Sequence, residues 1–303
     1  MSRGARLAPA ALVLATTAVS FSAIFIRLAD APAATIVWVR MAMTVVLLSP
    51  LLIRDARSLA VPRSVAEWRV IGVSGTCLAA HFLTWTASLR YTSVASSVLL
   101  VSLHPVLVAV LGRRLLGEEV SWRLWAGIAL ALLGTLVTTT GDLRISRSAL
   151  GGDALAVAGA VTFTGYLLVG RKVRPRYGAA GYSVPVYAVV AVIAVVVAPA
   201  AGQPVVPSAR TALACLGLAA VCTILGHTVF NWSLRHLRAA VVSVSFLGEP
   251  PATALLAVPI LGERPPGTAV AGGIVILVGL ALSLSERPAV RPPTEVAEMV
   301  AAE

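Results

Sequence analysis

An acidic residue followed by two prolines interrupts an otherwise apolar stretch of the sequence, at residues 246–251 (FLGEPP). Proline lacks a backbone N–H and clashes with the preceding helical turn, so the pair frees backbone carbonyls that need other partners. A carboxylate is costly in apolar surroundings, so Glu249 should face polar groups, where it could carry a proton or meet a cationic amine. A structural role is the alternative, in which Glu249 pairs with His104 or Arg40 or caps the freed backbone.

Three histidines and several aromatic, hydroxyl and amide side chains lie in other apolar stretches. A histidine can titrate near neutral pH, and it can equally serve as a hydrogen-bonding group between helices. Rings beside hydroxyls suit a small amphipathic solute, with ordinary packing or an interfacial position as the alternative. The candidate substrate or coupling residues are Glu249, His104, Pro105, Pro250, Ser22, Phe21, Trp85, His81, Phe163, Tyr166, His227, Asn231 and Trp232.

The composition predicts that these residues lie in a membrane protein. The chain has 303 residues, of which 58% are hydrophobic and 12% charged, and its mean hydropathy is +0.91. A soluble domain carries roughly 25% charged residues. The net charge of +11 is distributed in short groups along the chain, which argues against nucleic-acid binding. Neither the histidines nor the three cysteines have metal-ligand spacing, so no metal or cofactor is expected.

Ten apolar runs approach the roughly 20 residues that a membrane-spanning helix needs. They cover residues 8–28, 34–53, 69–88, 93–112, 123–140, 150–170, 181–199, 211–231, 238–261 and 266–284. With the N-terminus inside, 17 of the 24 lysines and arginines fall in cytoplasmic segments and 5 in outer loops. Because cytoplasmic loops are rich in basic residues, this split predicts that both termini are cytoplasmic.

An internal duplication relates the two halves of the chain. An offset of 145 residues aligns 88–90 with 233–235, Pro105 with Pro250, and the Leu-Gly-Glu motif at 116–118 with that at 261–263. Each half then has five spans, and an odd number of crossings inserts the second half upside down. The predicted fold is an all-α membrane protein of two inverted five-helix repeats, at 1–142 and 143–285. A disordered cytoplasmic tail is expected over 286–303.

Several further residues invite a structural interpretation. Glu118 and Glu263 end the fourth and ninth spans and are expected to fix the following turns. Arg27 and Arg40 are expected to extend to the outer surface, although Arg40 lies deep enough to bind an anionic group. Four glycines in the fifth and tenth spans permit close helix packing, either within the chain or in a weak homodimer; they are Gly127, Gly134, Gly272 and Gly279.

The two Leu-Gly-Glu motifs, each followed by a glycine-spaced helix, resemble a known family when combined with ten spans in two sets of five. Over residues 8–285 the chain resembles the EamA-type branch of the drug/metabolite transporter superfamily. The resemblance implies a multi-pass carrier of the inner (cell) membrane, and many such carriers export amino acids and related metabolites. It also implies a cavity lined by the first, third, fourth, sixth, eighth and ninth helices.

We therefore expect a secondary transporter that exports amino acids or similar small metabolites by alternating access. Proton exchange or the gradient of the solute itself would drive it. The sequence contains no GxxxxGK[ST] motif for ATP. The alternatives are an integral-membrane enzyme, which would need a nucleophile or metal constellation, and a membrane scaffold without transport. Enzymatic activity is not expected.

Overall fold

The computed structural model describes residues 3–57, 60–88, 91–140, 149–261 and 266–285. Glu263, the side chain of Arg27 and the tail over 286–303 lie outside the described residues. Ten helical spans in this part of the chain are long and apolar enough to cross a membrane, which confirms the predicted number. They are α1 (Arg3–Val19 and Ser22–Ala29), α2 (Ala33–Arg57), α3 (Val65–Ser88), α4 (Val94–Val101 and His104–Leu116), α5 (Trp122–Thr139), α6 (Leu150–Val173), α7 (Ala179–Ala200), α8 (Ala209–Gly217, Leu218–Thr228 and Val229–Ser233), α9 (Ala239–Ser245, Phe246–Gly248 and Glu249–Leu261) and α10 (Gly267–Leu284).

Serine side chains begin several of these helices. Ser93, Ser121 and Ser208 each accept a hydrogen bond from a backbone N–H three residues later, at the starts of α4, α5 and α8. Such caps satisfy amide groups that have no partner inside the helix. Large apolar side chains such as Val46 and Leu213 point outward and are about 70% exposed (68% and 71%). This outward apolar surface is what a protein surrounded by lipid presents.

The contact between α5 and α10 shows that the two halves are inverted. A Cβ atom added to Gly127 would lie 2.6 Å from the carbonyl oxygen of Gly279, and one added to Gly134 would lie 2.5 Å from that of Gly272. The later glycine of α5 contacts the earlier glycine of α10, so α5 and α10 are antiparallel. The 145-residue offset relates Gly127 to Gly272 and Gly134 to Gly279, so the repeat symmetry exchanges the two glycine contacts. The fifth helices of the two repeats are thus related by a pseudo-two-fold axis in the membrane plane.

Most of the large helix contacts connect the two repeats. The helix pairs α5–α10 and α2–α7 each join corresponding helices, while α3–α6 and α8–α1 are exchanged by the pseudo-two-fold axis. The protein is therefore an all-α membrane protein of two inverted five-helix repeats, with its core between them. The glycine faces of α5 and α10 pack within the chain, and the weak homodimer stays a prediction.

Helices α4 and α9 are interrupted at equivalent positions. In α4 the break is at residues 102 and 103, and in α9 a 3₁₀ turn spans Phe246–Gly248, which contains the positions 145 residues later. Pro105 and Pro250 each lie in the first turn of the segment after the break, where a missing N–H costs little. The paired prolines found in the sequence therefore lie directly after both interruptions.

The breaks of α1 and α9 supply each other with hydrogen bonds. Thr16 Oγ1 in α1 donates to the carbonyl oxygen of Ser245, directly before the 3₁₀ turn of α9, at 3.0 Å. In return, Thr253 Oγ1 in α9 donates to the carbonyl oxygen of Ser20, at the break of α1, at 2.9 Å. Carbonyls without partners are costly in lipid, so these reciprocal bonds permit both helices to be broken inside the membrane. The paired hydroxyls also hold the two repeats together beside the breaks.

The glycine contacts predict a selective loss of stability. Gly134→Ala should destabilise the protein by about 1–3 kcal/mol, because the new methyl group overlaps the α10 backbone. Gly151→Ala is the matched control, since a Cβ there meets nothing within 4 Å. Thermal unfolding of the purified proteins in detergent measures the difference. Equal melting temperatures for the two variants would contradict the close α5–α10 contact.

The reciprocal threonine bonds can be tested in the same way. Thr16→Val and Thr253→Val should each lose about 0.6–2 kcal/mol of stability, the range for hydrogen bonds between membrane helices. Thr17→Val is the control, because among the described residues the Thr17 hydroxyl bonds only to the carbonyl of Val13 in its own helix. If Thr17→Val is as destabilising as the other two variants, the bonds between α1 and α9 have no special role.

Candidate functional site

A cavity of about 610 Å³ lies between the two repeats, beside the breaks in α1, α4 and α9. Its wall includes Ala33 at the start of α2, Trp85 and Thr86 near the end of α3, and Val98 near the start of α4. These positions lie at one face of the helix bundle, so the cavity extends from that face to the middle of the protein. We call this face the mouth face.

Eight of the thirteen candidate residues line the cavity. They are Ser22, His81, Trp85, His104, Phe163, His227, Glu249 and Pro250. They come from α1, α3, α4, α6, α8 and α9, the six helices that the family resemblance implies. Helix α2 contributes in addition, through Ala33, Ile36, Val37 and Arg40. Glu249, a partly buried residue, begins the segment of α9 that follows the 3₁₀ turn.

Rings from both repeats form the inner end of the cavity, which we call the floor. The ring of Phe163 lies 4.5 Å from that of His81, 4.9 Å from that of His104 and 5.0 Å from that of Phe246, between centroids. His227 lies 5.7 Å from Phe246. Aromatic pairs at these separations attract each other, and most of the pairs here are tilted or edge-on. The floor is apolar apart from the ring nitrogens of the three histidines.

Hydrogen bonds fix the tautomers of two of these histidines. His81 Nδ1 lies 2.9 Å from the carbonyl oxygen of Gly159, and His104 Nδ1 lies 2.9 Å from that of Val101, at the break in α4. Because a carbonyl only accepts, both Nδ1 atoms carry hydrogen. His104 Nε2 is buried without a partner in the part of the chain that the structure describes, as are Trp85 Nε1 and His227 Nδ1. All three residues line the cavity, so its wall contains nitrogen atoms that the described residues leave unpaired.

Arg40 is buried in the cavity wall instead of extending to the outer surface. Its side chain is 5% exposed, and its Nε donates to Thr223 Oγ1 at 2.7 Å. The guanidinium carbon lies 5.3 Å from the ring centroid of Phe82, within range of a cation–π interaction. Thr223 belongs to the π-helical segment Leu218–Thr228 of α8, a type of helix often found at functional sites. The only sequence signal for this position was an isolated arginine inside an apolar span.

Other lining residues were not among the sequence candidates. Thr253 lies one helical turn after Glu249, and that i+4 spacing could have identified it. Phe246 and Ser102 lie at the paired breaks and could have been found from the repeat. Phe82 follows His81 directly and carries no pattern that separates it from a lipid-facing phenylalanine.

Five candidate residues lie outside the lining. Tyr166 and Asn231 are one helical turn beyond Phe163 and His227, and Tyr166 donates to Asn231 Oδ1 at 2.6 Å. Trp232 packs against the ring of His236, 4.5 Å between centroids. The others are Phe21, which packs near Phe25, and Pro105, which is buried in α4.

A buried polar layer separates the floor from the opposite face. Asn231 Nδ2 donates to Ser183 Oγ at 3.0 Å, and the Asn231 carbonyl accepts from Arg174 Nε at 2.8 Å. Arg174 also donates to the carbonyls of Tyr177 and Gly178. Burial lowers the pKa of Arg174 to about 10, which still leaves it charged at neutral pH. Tyr166, Asn231 and Arg174 in this layer are each 1% exposed, so the layer closes the cavity toward the opposite face.

Glu118 connects the two repeats beyond this layer. Its Oε1 accepts from Arg171 Nε at 2.6 Å, and its Oε2 accepts from the backbone N–H of Ala239 at 3.0 Å. Arg171 Nη1 also donates to the carbonyl of Leu234 at 2.8 Å. Glu118 follows the end of α4 in the first repeat, whereas its partners Arg171 and Ala239 belong to α6 and to the start of α9. The residue therefore does more than fix its own turn, and we call this end of the protein the clamp face.

The described residues contain no group of three or more histidine, cysteine, aspartate or glutamate side chains that could hold a metal ion. The cavity instead offers one guanidinium, one carboxylate and unpaired ring nitrogens on an apolar wall. Such a site can bind a small amphipathic molecule through a few fixed polar contacts.

Known proteins with similar sequences are transporters by name. The chain is 26% identical over 239 residues to a "Probable terminal-alkyne amino-acid exporter" from Streptantibioticus cattleyicolor, covering 77% of this chain and 76% of that protein. It is 28% identical over 113 residues to the "Uncharacterized transporter YyaM" of Bacillus subtilis, covering 36% of each.

A solved crystal structure has the same fold, with a TM-score of 0.77 and 20% sequence identity over 94% of this chain and 99% of that one. The model of the EamA-like transporter family matches the chain twice, at residues 7–140 and 150–285. The two matches cover most of the chain, one in each half, and the protein therefore belongs to the EamA-like transporter family.

Proposed function

We propose that the protein is a secondary transporter that exports amino acids or related small metabolites by alternating access. The observation that carries this proposal is the cavity between two inverted repeats, which extends to one face and is closed toward the other. Exchanging the conformations of the two repeats would close the mouth face and open the clamp face, while the cavity stays between them. In this proposal the two repeats keep the boundaries predicted from the sequence, 1–142 and 143–285.

The distribution of charge supports an orientation with the clamp face in the cytoplasm. Basic residues cluster at this end of the helices, for example Arg113 and Arg114 in α4 and Arg171 and Lys172 in α6. Cytoplasmic ends of membrane helices are enriched in such residues. In this orientation both termini are cytoplasmic, the protein spans the cell membrane, and the mouth face opens to the outside.

The chemistry of the cavity supports a small solute that has both polar and apolar parts. The charged side chains of Arg40 and Glu249 line the cavity together with the rings of His81, Trp85 and Phe163. The relative from Streptantibioticus cattleyicolor is named as an amino-acid exporter. The cavity has room for an amino acid, and its mixture of charged and aromatic surface suits one.

Glu249 offers a simple basis for proton exchange. A carboxylate in an apolar site is stabilised either by a bound proton or by a cationic partner. If the ammonium group of the solute and a proton compete for Glu249, release of one favours binding of the other. The carrier would then exchange protons for solute and use the proton gradient to drive export.

The proposed role of the Glu249 carboxylate in proton exchange can be tested by substitution. In proteoliposomes, Glu249→Gln should abolish export driven by a pH gradient, because the amide cannot exchange a proton. Counterflow of labelled amino acids, screened over the twenty common ones, gives the wild-type activity. Glu249→Asp is the control, since it keeps the titratable group. Undiminished transport by Glu249→Gln at every pH would remove Glu249 from the mechanism, and no counterflow by the wild type would contradict the proposed solute class.

The proposed role of Glu118 in closing the clamp face can be tested by thiol labelling. Glu118→Gln removes the charge that holds Arg171 and should shift the protein toward the state that is open to the cytoplasm. A cysteine at Thr86 in the cavity wall, in a background without the three native cysteines, should then react less with an impermeant thiol reagent added outside cells. Glu119→Gln is the control, because the adjacent Glu119 is exposed and its carboxylate forms no ion pair or hydrogen bond among the described residues. Identical labelling of the Glu118→Gln and Glu119→Gln proteins would contradict a clamp.

A further inference from the structure

Arg40 has hydrogen-bonding capacity that the protein itself does not use. Thr223 Oγ1 accepts from Nε at 2.7 Å, while Nη2 is buried and has no partner among the described residues. The side chain is 5% exposed and lines the cavity. A buried donor on a charged group costs free energy when it is left unpaired. Arg40 therefore brings an unsatisfied N–H group to the wall of the cavity.

The surroundings of Arg40 fix the direction of the guanidinium. The Thr223 hydroxyl accepts from Arg40 and donates to the carbonyl oxygen of Leu218 at 3.0 Å, so both of its hydrogen-bonding functions are used. Phe82 lies against the guanidinium, 5.3 Å from ring centroid to carbon. An oriented guanidinium presents paired N–H groups that match the geometry of a carboxylate.

Glu249 lines the same cavity and interacts electrostatically with Arg40. The two side chains form no ion pair in the described structure, where Glu118–Arg171 and Arg54–Asp55 are the pairs within 4 Å. One positive and one negative group thus face a shared space. A solute that carries only an amine or only a carboxylate would leave one of these charges without a counter-charge, which is costly away from water.

We propose that Arg40 binds the carboxylate of a zwitterionic solute, with the amine of the same molecule facing Glu249 and its side chain lying among the rings of His81, Trp85 and Phe163. This assignment rests on the proposed function and adds the group that selects for a free carboxylate. Thr223 acts as a positioning residue, because it contacts the guanidinium and not the solute. The π-helical turn of α8 places Thr223 where it can do so.

The experiment compares three probes on the purified full-length protein in lipid nanodiscs. The probes are L-phenylalanine, L-phenylalaninamide, which lacks the carboxylate, and 3-phenylpropionate, which lacks the amine. Calorimetry should show that the wild type binds L-phenylalanine about tenfold or more tightly than the amide, the ratio expected for a hydrogen bond between charged groups. In Arg40→Gln the ratio should fall to near one, and in Thr223→Val it should fall partway.

Controls separate recognition from structure. Arg123→Gln, at an exposed arginine in α5, should keep the wild-type ratio. Arg40→Lys keeps the charge but not the paired N–H groups, so it should fold and give an intermediate ratio even if Arg40→Gln unfolds. If Arg40 served only as a counter-charge for Glu249, the double variant Arg40→Gln/Glu249→Gln would recover the wild-type ratio. We expect no recovery.

The results distinguish failure of this assignment from failure of the proposed function. Amino-acid counterflow with an unchanged ratio in both Arg40→Gln and Arg40→Lys would overturn the carboxylate site and leave the transporter proposal standing. Binding of 3-phenylpropionate that depends on Arg40, without amino-acid counterflow, would keep Arg40 as a carboxylate-binding residue but overturn its pairing with an amine at Glu249. No binding of any of the three probes to the wild type would also overturn the assignment.

Discussion

In lipid, every backbone polar group needs a partner inside the protein, and the rest of this structure depends on that constraint. A continuous helix meets it alone, so a break in the membrane is possible only where other groups replace the lost bonds. Here Thr16 and Thr253 exchange hydrogen bonds between the breaks of α1 and α9, and His104 bonds the carbonyl of Val101 at the break of α4. The bonds exchanged by Thr16 and Thr253 join facing helices of the two repeats, so these breaks lie at the seam between the repeats, and the cavity lies beside them.

The contacts between the repeats are of two kinds, which differ in how the pseudo-two-fold axis relates them. The glycine pairs of α5 and α10 exchange with each other under the symmetry, so a conformational swap of the repeats leaves them in place. The Glu118 contacts with Arg171 and Ala239 lie at one end only and belong to the state that the structure shows. In the proposed cycle, the first kind of contact holds the repeats together, and the second kind breaks and re-forms.

The sequence alone predicted the ten spans, the inverted repeat and the paired breaks, because apolar length, repeat offset and proline positions are visible in the sequence without knowledge of the packing. Phe163 and His227, both candidates from the sequence, line the cavity, but the sequence could not separate them from Tyr166 and Asn231, one turn away along the same helices. That separation depends on where the floor lies along the helix axis, which only packing determines. The sequence identified Arg40 only as a deep arginine that could bind an anionic group, and it gave no role to Thr16, because their partners, Thr223 and Ser245, are 183 and 229 residues distant in the chain.

Distances between the repeats at the two ends of the molecule test alternating access most directly. Spin labels at Leu115 and Arg235 report on the clamp face, and labels at Tyr91 and Val206 report on the mouth face; all four positions are exposed. Double electron–electron resonance in nanodiscs, at high and low pH and with or without L-phenylalanine, should give two populations. When the clamp-face distance lengthens, the mouth-face distance should shorten. A single distance at each face that no condition changes would contradict the account.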